Sequence, residues 1–218
     1  MLIDSYTLLV FLHVLLFAYW LGPDWGVFVN GRRVANESLS REERLRFLVA
    51  AVGIDVLPRS AIVLIVAVGF TLGQRGGYID MASWVLMLVW LIAAGWLALV
   101  VLTGYILKPG TLRTQLDRLH IGLRHGLTAT FALLGTYSLY VGGPITSTWL
   151  AAKLVLLALL LAGGSALRII AQGWAQELTG EPRAQGHIAR TYPYTRRLVY
   201  AFWGTTIAIA FLGVAKPF

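Results

Sequence analysis

The sequence predicts an all-α, polytopic transmembrane helix bundle of about six spans. Of 218 residues, 58% are hydrophobic and only 13% are charged, whereas a soluble domain carries about 25% charged residues. Mean hydropathy is +0.73. Six apolar stretches reach the ~20 residues that a helix needs to cross the hydrocarbon core. Lipid offers no partner for backbone N–H and C=O groups, so each stretch must pair its own and is read as a helix. Little chain lies between the stretches, and residues 1–218 read as a single integral membrane domain.

The first span covers Tyr6–Asn30. It lacks a basic leading segment, and its apolar run exceeds the ~7–15 residues of a signal-peptide core, so it reads as a retained helix. The loop from Gly31 to Arg46 holds Ser40 and Glu43 at capping-box spacing, which starts the second helix in water. The second span covers Leu45–Leu72. Asp80 is placed to cap the third, Ala82–Leu107. The fourth, Ile121–Val141, runs into a tight turn at Gly142-Gly143-Pro144. The fifth, Thr148–Ile170, carries Gly163, Gly164, Ser165 and Ala166, small residues that permit close helix approach. A long segment with Gly180, Pro182, Gly186 and Pro193 then reads as partly irregular, before the last span, Leu198–Val214. Trp25, Trp84, Trp149, Trp174 and Tyr192 fall near the ends of spans and read as an aromatic belt.

The net charge is +8, and its placement is asymmetric. Arg32, Arg33, Arg41, Arg44 and Arg46 lie in the first loop; Lys108, Arg113, Arg118 and Arg124 lie around the third; Arg168, Arg183, Arg190, Arg196 and Arg197 lie around the fifth. The second loop holds Arg75 and the fourth holds no basic residue. This is the positive-inside pattern: loops one, three and five face the cytoplasm and both termini lie outside. The charge points to anionic lipid headgroups as its partner and not to nucleic acid. The absence of cysteine excludes disulfides, thiolate metal sites and covalent haem attachment. Three methionines leave a soft copper relay poorly supplied.

Charge at membrane depth is costly unless paired or functional, so the ionisable residues inside spans are the candidate site. His13, Phe17, Trp20 and Asp24 recur at helical spacing and share one face of the first helix. From the ~1.5 Å rise per residue, His13 and Lys153 sit at similar depth, ~10 Å from the outer end of their spans. Nearer the cytoplasm, Asp55 and Arg59 are one helical turn apart and can pair, with Asp24 or His125 as further partners. Two readings stand for this second cluster: a buried pair that fixes helix packing, or a proton route or anionic-substrate site anchored by Arg59. Pro58 frees a backbone group beside it. His120 and His187 read as solvated. His120 and His125 are five positions apart and do not share a helix face.

Two segments carry a resemblance. Leu12-His13, six residues, Trp20, one residue and Gly22 is one; Trp149-Leu150, two residues and Lys153-Leu154 is the other. Both look like the bacterial membrane protoporphyrinogen IX oxidase of the HemJ type, and equally like the membrane domain of copper-resistance protein D and its CopD-like relatives. That oxidase has fewer spans, and its first helix continues into a Pro-Arg pair where this chain has Pro23-Asp24. The resemblance implies a multi-pass protein of the bacterial inner membrane that binds b-type haem. It makes His13 the candidate iron ligand, with Lys153, Trp20 and His125 as further cofactor-binding candidates. A neutral imidazole suits that role, and the surrounding polarity tunes the iron.

Three functions are therefore expected from the sequence. The first is a b-type haem protein, an oxidoreductase of the protoporphyrinogen oxidase type or an electron carrier to quinone. The second is a non-enzymatic accessory or anchor subunit of a larger membrane complex, with partner subunits or further copies of itself. The third is a copper or small-solute transporter using the layer of Asp24, Asp55 and Arg59.

Overall fold

Long helices dominate because the chain alternates apolar runs with short polar breaks, and few breaks fall inside a run. The computed structural model describes residues 4–216 and contains six helices: α1 (Ser5–Val34), α2 (Arg41–Arg75), α3 (Ser83–Val101), α4 (Thr111–Tyr140), α5 (Thr148–Thr179) and α6 (His187–Ala215). Asp4 caps α1 by accepting from the Thr7 N–H at 2.6 Å. That backbone bond holds the Asp4 carboxyl below the usual carboxylate range. Ser40 and Glu43 form the expected reciprocal capping box at α2. The expected cap of α3 by Asp80 is not made: Ala82 occupies the N-cap position, and the Asp80 N–H instead donates to Pro144 O at 2.8 Å.

Two tight connections define one end of the bundle. Ile79, after α2, forms an antiparallel bridge with Ile145, before α5, supported by Thr146 N–H donating to Tyr78 O at 3.1 Å. Gly142 permits the turn there with φ of +80°, a region that disfavours side chains. Arg75 donates to Ser5 Oγ at 3.0 Å, and Lys216 Nζ to the Tyr78 hydroxyl at 3.1 Å. Both described chain ends therefore lie at this end. The opposite end gathers the arginines: Arg41 Nε donates to Leu178 O and Arg44 Nε to Val34 O, each at 2.7 Å.

Five helices are long and apolar enough to cross a membrane. α4 is less apolar but equally long, at 30 residues, and connects the arginine-rich end to the bridged end. Large apolar side chains face outward along the bundle, among them Leu133, Ile169 and Phe211, each more than 60% exposed. A water-soluble monomer does not present such a surface, and a lipid-facing one does.

The helices overrun the expected spans at the arginine-rich end. α5 continues to Thr179 and α6 begins at His187, so the segment expected to be irregular shrinks to a short link with a turn of 3-10 helix at Pro182–Ala184. These extensions pack on themselves, with Val34, Leu48, Trp174, Leu178 and Ile188 buried together. Trp174 donates to Thr191 Oγ1 at 2.7 Å. Trp149 and Trp174 are buried, at 8% and 4% exposure, and are not belt residues; Trp25 and Trp84 are exposed. The main core runs through the middle of the bundle and is richest on α2 and α5.

Candidate functional site

The expected stripe on α1 forms: His13, Phe17, Trp20 and Asp24 all turn inward. It serves two separate layers. In the layer nearer the bridged end, the His13 ring lies on α2 where Gly69 has no side chain; a Cβ there would stand 3.2 Å from His13 Cε1. His13 Nδ1 is buried and has no hydrogen-bond partner. Lys153 on α5 uses a second gap, on α6, where a Gly213 Cβ would lie 2.7 Å from its Nζ. Its ammonium sits 5.8 Å from the Trp149 ring centroid, and Lys216 stands at the same distance from that ring.

This layer supplies an unpartnered ring nitrogen but not the space for a macrocycle. His13 is wedged on α2, Lys153 on α6, and neither lines either of the two cavities described below. As packed, these residues do not fit a haem between them. His125 is exposed on the outer face of α4 and is not brought to His13. Among the described residues, no group of three or more His, Asp or Glu side chains converges to hold a metal ion.

The second layer surrounds a cavity of about 200 Å³ toward the arginine-rich end. Trp20 and Asp24 of α1, Asp55 and Arg59 of α2, Trp96 of α3, His120 and Arg124 of α4, Gly164 of α5 and Phe202 of α6 all line it. Asp55 and Arg59 form the expected ion pair along α2 and remain about a quarter to a third exposed. Asp24 does not join them. It accepts from Trp203 Nε1 of α6 at 2.6 Å, and Trp203 stacks on Trp25 with ring centroids 5.3 Å apart.

Arg124 is the residue that the spacing argument did not single out. Its Nε and Nη2 donate to Leu161 O at 3.2 and 2.9 Å, and the guanidinium fills the space that a Gly164 side chain would occupy. The small-residue run on α5 thus admits an arginine head at Gly164, whereas Gly163 meets only Leu198 Cδ1, at 3.9 Å. Among the described residues Arg124 makes no ion pair. Arg59 and Arg168 line the same cavity, and Arg168 is itself engaged by Asp117 at 2.6 Å.

His120 overturns the expectation that it is solvated. It is 3% exposed, lines the cavity, and its Nδ1 has no partner. His187 also packs inward, against the bare backbone of Gly173, with Nε2 buried and unpartnered. A sequence signal for His120 and Arg124 did exist: Asp117, His120 and Arg124 recur at three and four positions, which places them on one face of α4 and leaves His125 off it.

The cavity wall is mostly apolar, with four arginines (Arg59, Arg124, Arg168 and Arg196) against two aspartates (Asp24 and Asp55). Guanidinium groups are suited to carboxylate and phosphate because they present several donors in one plane. An excess of them beside a low-dielectric wall favours an anion. No protein-family model matches the chain, and no curated protein and no solved structure matches it.

Proposed function

We propose that this chain is a multi-pass protein of the bacterial inner membrane, its arginine-rich end in the cytoplasm, and that its cavity at that end binds an anionic group. Arg124 carries the proposal. A guanidinium held among apolar walls with only a carbonyl to bond is expensive unless a counter-charge arrives. Arg59 and Arg168 already have carboxylate partners and Arg196 is exposed, so Arg124 is the part-buried cation left to meet a ligand. The anionic-substrate alternative for the layer of Asp55 and Arg59 is thereby extended to α4. The acidic groups that suit it are a carboxylate or a phosphate.

The test uses purified protein in nanodiscs of neutral lipid and isothermal titration calorimetry with decanoate and decanol. Protein-free nanodiscs correct for partition. Decanoate should bind saturably and decanol should not. Arg124→Gln should weaken decanoate by about tenfold or more, since a hydrogen bond to a charged group contributes ~1.5–3 kcal/mol and ~1.4 kcal/mol is tenfold. Equal binding of acid and alcohol, or an unchanged affinity in Arg124→Gln, would overturn the proposal.

The b-type haem implied by the resemblance has one observation in its favour, the unpartnered Nδ1 of His13. A reduced-minus-oxidised spectrum with a pyridine haemochrome assay tests it. A b-type band that disappears in His13→Ala would favour haem, and would require α1 and α2 to separate around the ring. A flat spectrum from protein made with ample haem would sink it.

A further inference from the structure

Beyond the arginine-lined cavity, a second cavity of about 440 Å³ lies between α2, α3 and α4 toward the bridged end. Its wall is almost entirely apolar, including Val66, Phe70, Val89, Leu127, Phe131 and Leu134. Trp96 lines both cavities. It is 4% exposed, and its indole N–H is buried without a partner.

The two cavities share their helix faces. On α2 the lining passes from Asp55 and Arg59 to Val63, Val66 and Phe70; on α4 it passes from His120 and Arg124 to Leu127, Phe131 and Leu134. These steps of three and four residues keep each helix on one line. Ten residues separate Arg124 from Leu134, so the path beyond the arginine runs about 15 Å at ~1.5 Å per residue. That is half of the ~30 Å hydrocarbon core, the depth of one leaflet. α3 and α4 make few contacts with each other.

We propose that the two cavities form one site for a single-chain anionic amphiphile, its acidic head at Arg124 and its chain running past Trp96 into the apolar cavity. This rests on the anion-binding proposal above and adds the chain. The volumes support it: a cavity of about 200 Å³ is below the ~300–1,000 Å³ of sites that enclose a whole drug-sized ligand, so the smaller space suits the head and the larger one suits the chain. The Trp96 N–H is free to donate to a ligand oxygen at the boundary. Both a fatty acid and a lysophospholipid with a phosphomonoester head have this chemistry.

The experiment measures nanodisc-corrected affinities for saturated fatty acids of increasing chain length and for the matching lysophosphatidates. It is run on the native protein, on Ala93→Leu, which puts bulk into the apolar cavity, and on Trp96→Phe. Affinity should rise with chain length beyond bulk partition and then level off, and Ala93→Leu should move the levelling point to shorter chains with at least a threefold loss for long ones. A fatty acid brominated at mid-chain should quench a tryptophan component that is missing in Trp96→Phe. A preference for lysophosphatidate over fatty acid would assign the head as phosphate, and the reverse as carboxylate. Anion binding that shows no length dependence beyond partition, with identical quenching in Trp96→Phe, would overturn the chain while leaving the anion site intact. Loss of all anion preference would overturn both. If Ala93→Leu does not fold, the quenching comparison decides alone.

Discussion

The bond from Trp203 to Asp24 ties α6 to α1 beside the aromatic contacts that these two helices share. Trp203→Phe removes the N–H while keeping an aromatic ring against Trp25 and Phe28, whose centroids lie 5.3 and 5.2 Å away. In water a hydrogen bond to a charged group contributes ~1.5–3 kcal/mol. Between membrane helices the measured average is ~0.6 kcal/mol with a maximum of ~1.7, because helices separated in lipid find other partners. The 2.6 Å separation and the carboxyl acceptor place this bond at the upper end, at about 1–1.7 kcal/mol of coupling. Reversible unfolding in mixed micelles with rising SDS fraction, followed by helical circular dichroism, gives the four corners of a cycle with Trp203→Phe, Asp24→Asn and the double variant. The double variant should cost less than the two singles together by that amount. Coupling under ~0.3 kcal/mol, or a Phe variant as stable as the native protein while Trp203→Ala is destabilised, would refute the reasoning, since the second result would assign the stabilisation to ring packing.

Three further outcomes follow from local geometry. Gly135 lets α4 approach α5 so closely that a Cβ would stand 2.8 Å from Ala151 O; Gly135→Leu should destabilise by about 1–3 kcal/mol or more, measured by thermal unfolding, while Gly126→Leu, with open space around it, should be near neutral. Ser40→Ala should cost about 1 kcal/mol through the lost capping box at α2, seen as faster amide exchange in the first turn. Asp117→Ala should cost about 1–3 kcal/mol, below the ~3–5 of a fully buried pair, because the Asp117 and Arg168 side chains are 30% and 18% exposed. The Asp117→Arg, Arg168→Asp double variant should recover part of that loss in the same unfolding assay.

Much of the fold was legible because hydropathy and helix length carry it. The span boundaries near the bridged end hold within a few residues, since glycine, proline and the bilayer edge coincide there. The arginine-rich end was misjudged, because polar helix beyond the membrane has no hydropathy signal; its order comes from contacts such as Trp174 with Thr191 and Arg41 with Leu178. The stripe on α1 and the pair of Asp55 with Arg59 were readable from period alone. Period also separates His120 and Arg124 from His125, but only once the inward face of α4 is known, and α4 is not apolar enough for its lipid face to stand out. Tertiary partners such as Leu161 O for Arg124 leave no trace in a single sequence, as no spacing rule links residues so far apart.

The anion site is tested most directly by where a ligand head attaches. A fatty acid carrying a diazirine beside its carboxylate, photolysed in nanodiscs and mapped by peptide mass spectrometry, should label α2 near Arg59 and α4 near Arg124. The labelling should fall at least tenfold in Arg124→Gln, in line with the ~1.4 kcal/mol that a tenfold change represents. Labels scattered over lipid-facing residues such as Leu133 and Ile169, unchanged by Arg124→Gln, would contradict an anion-binding cavity.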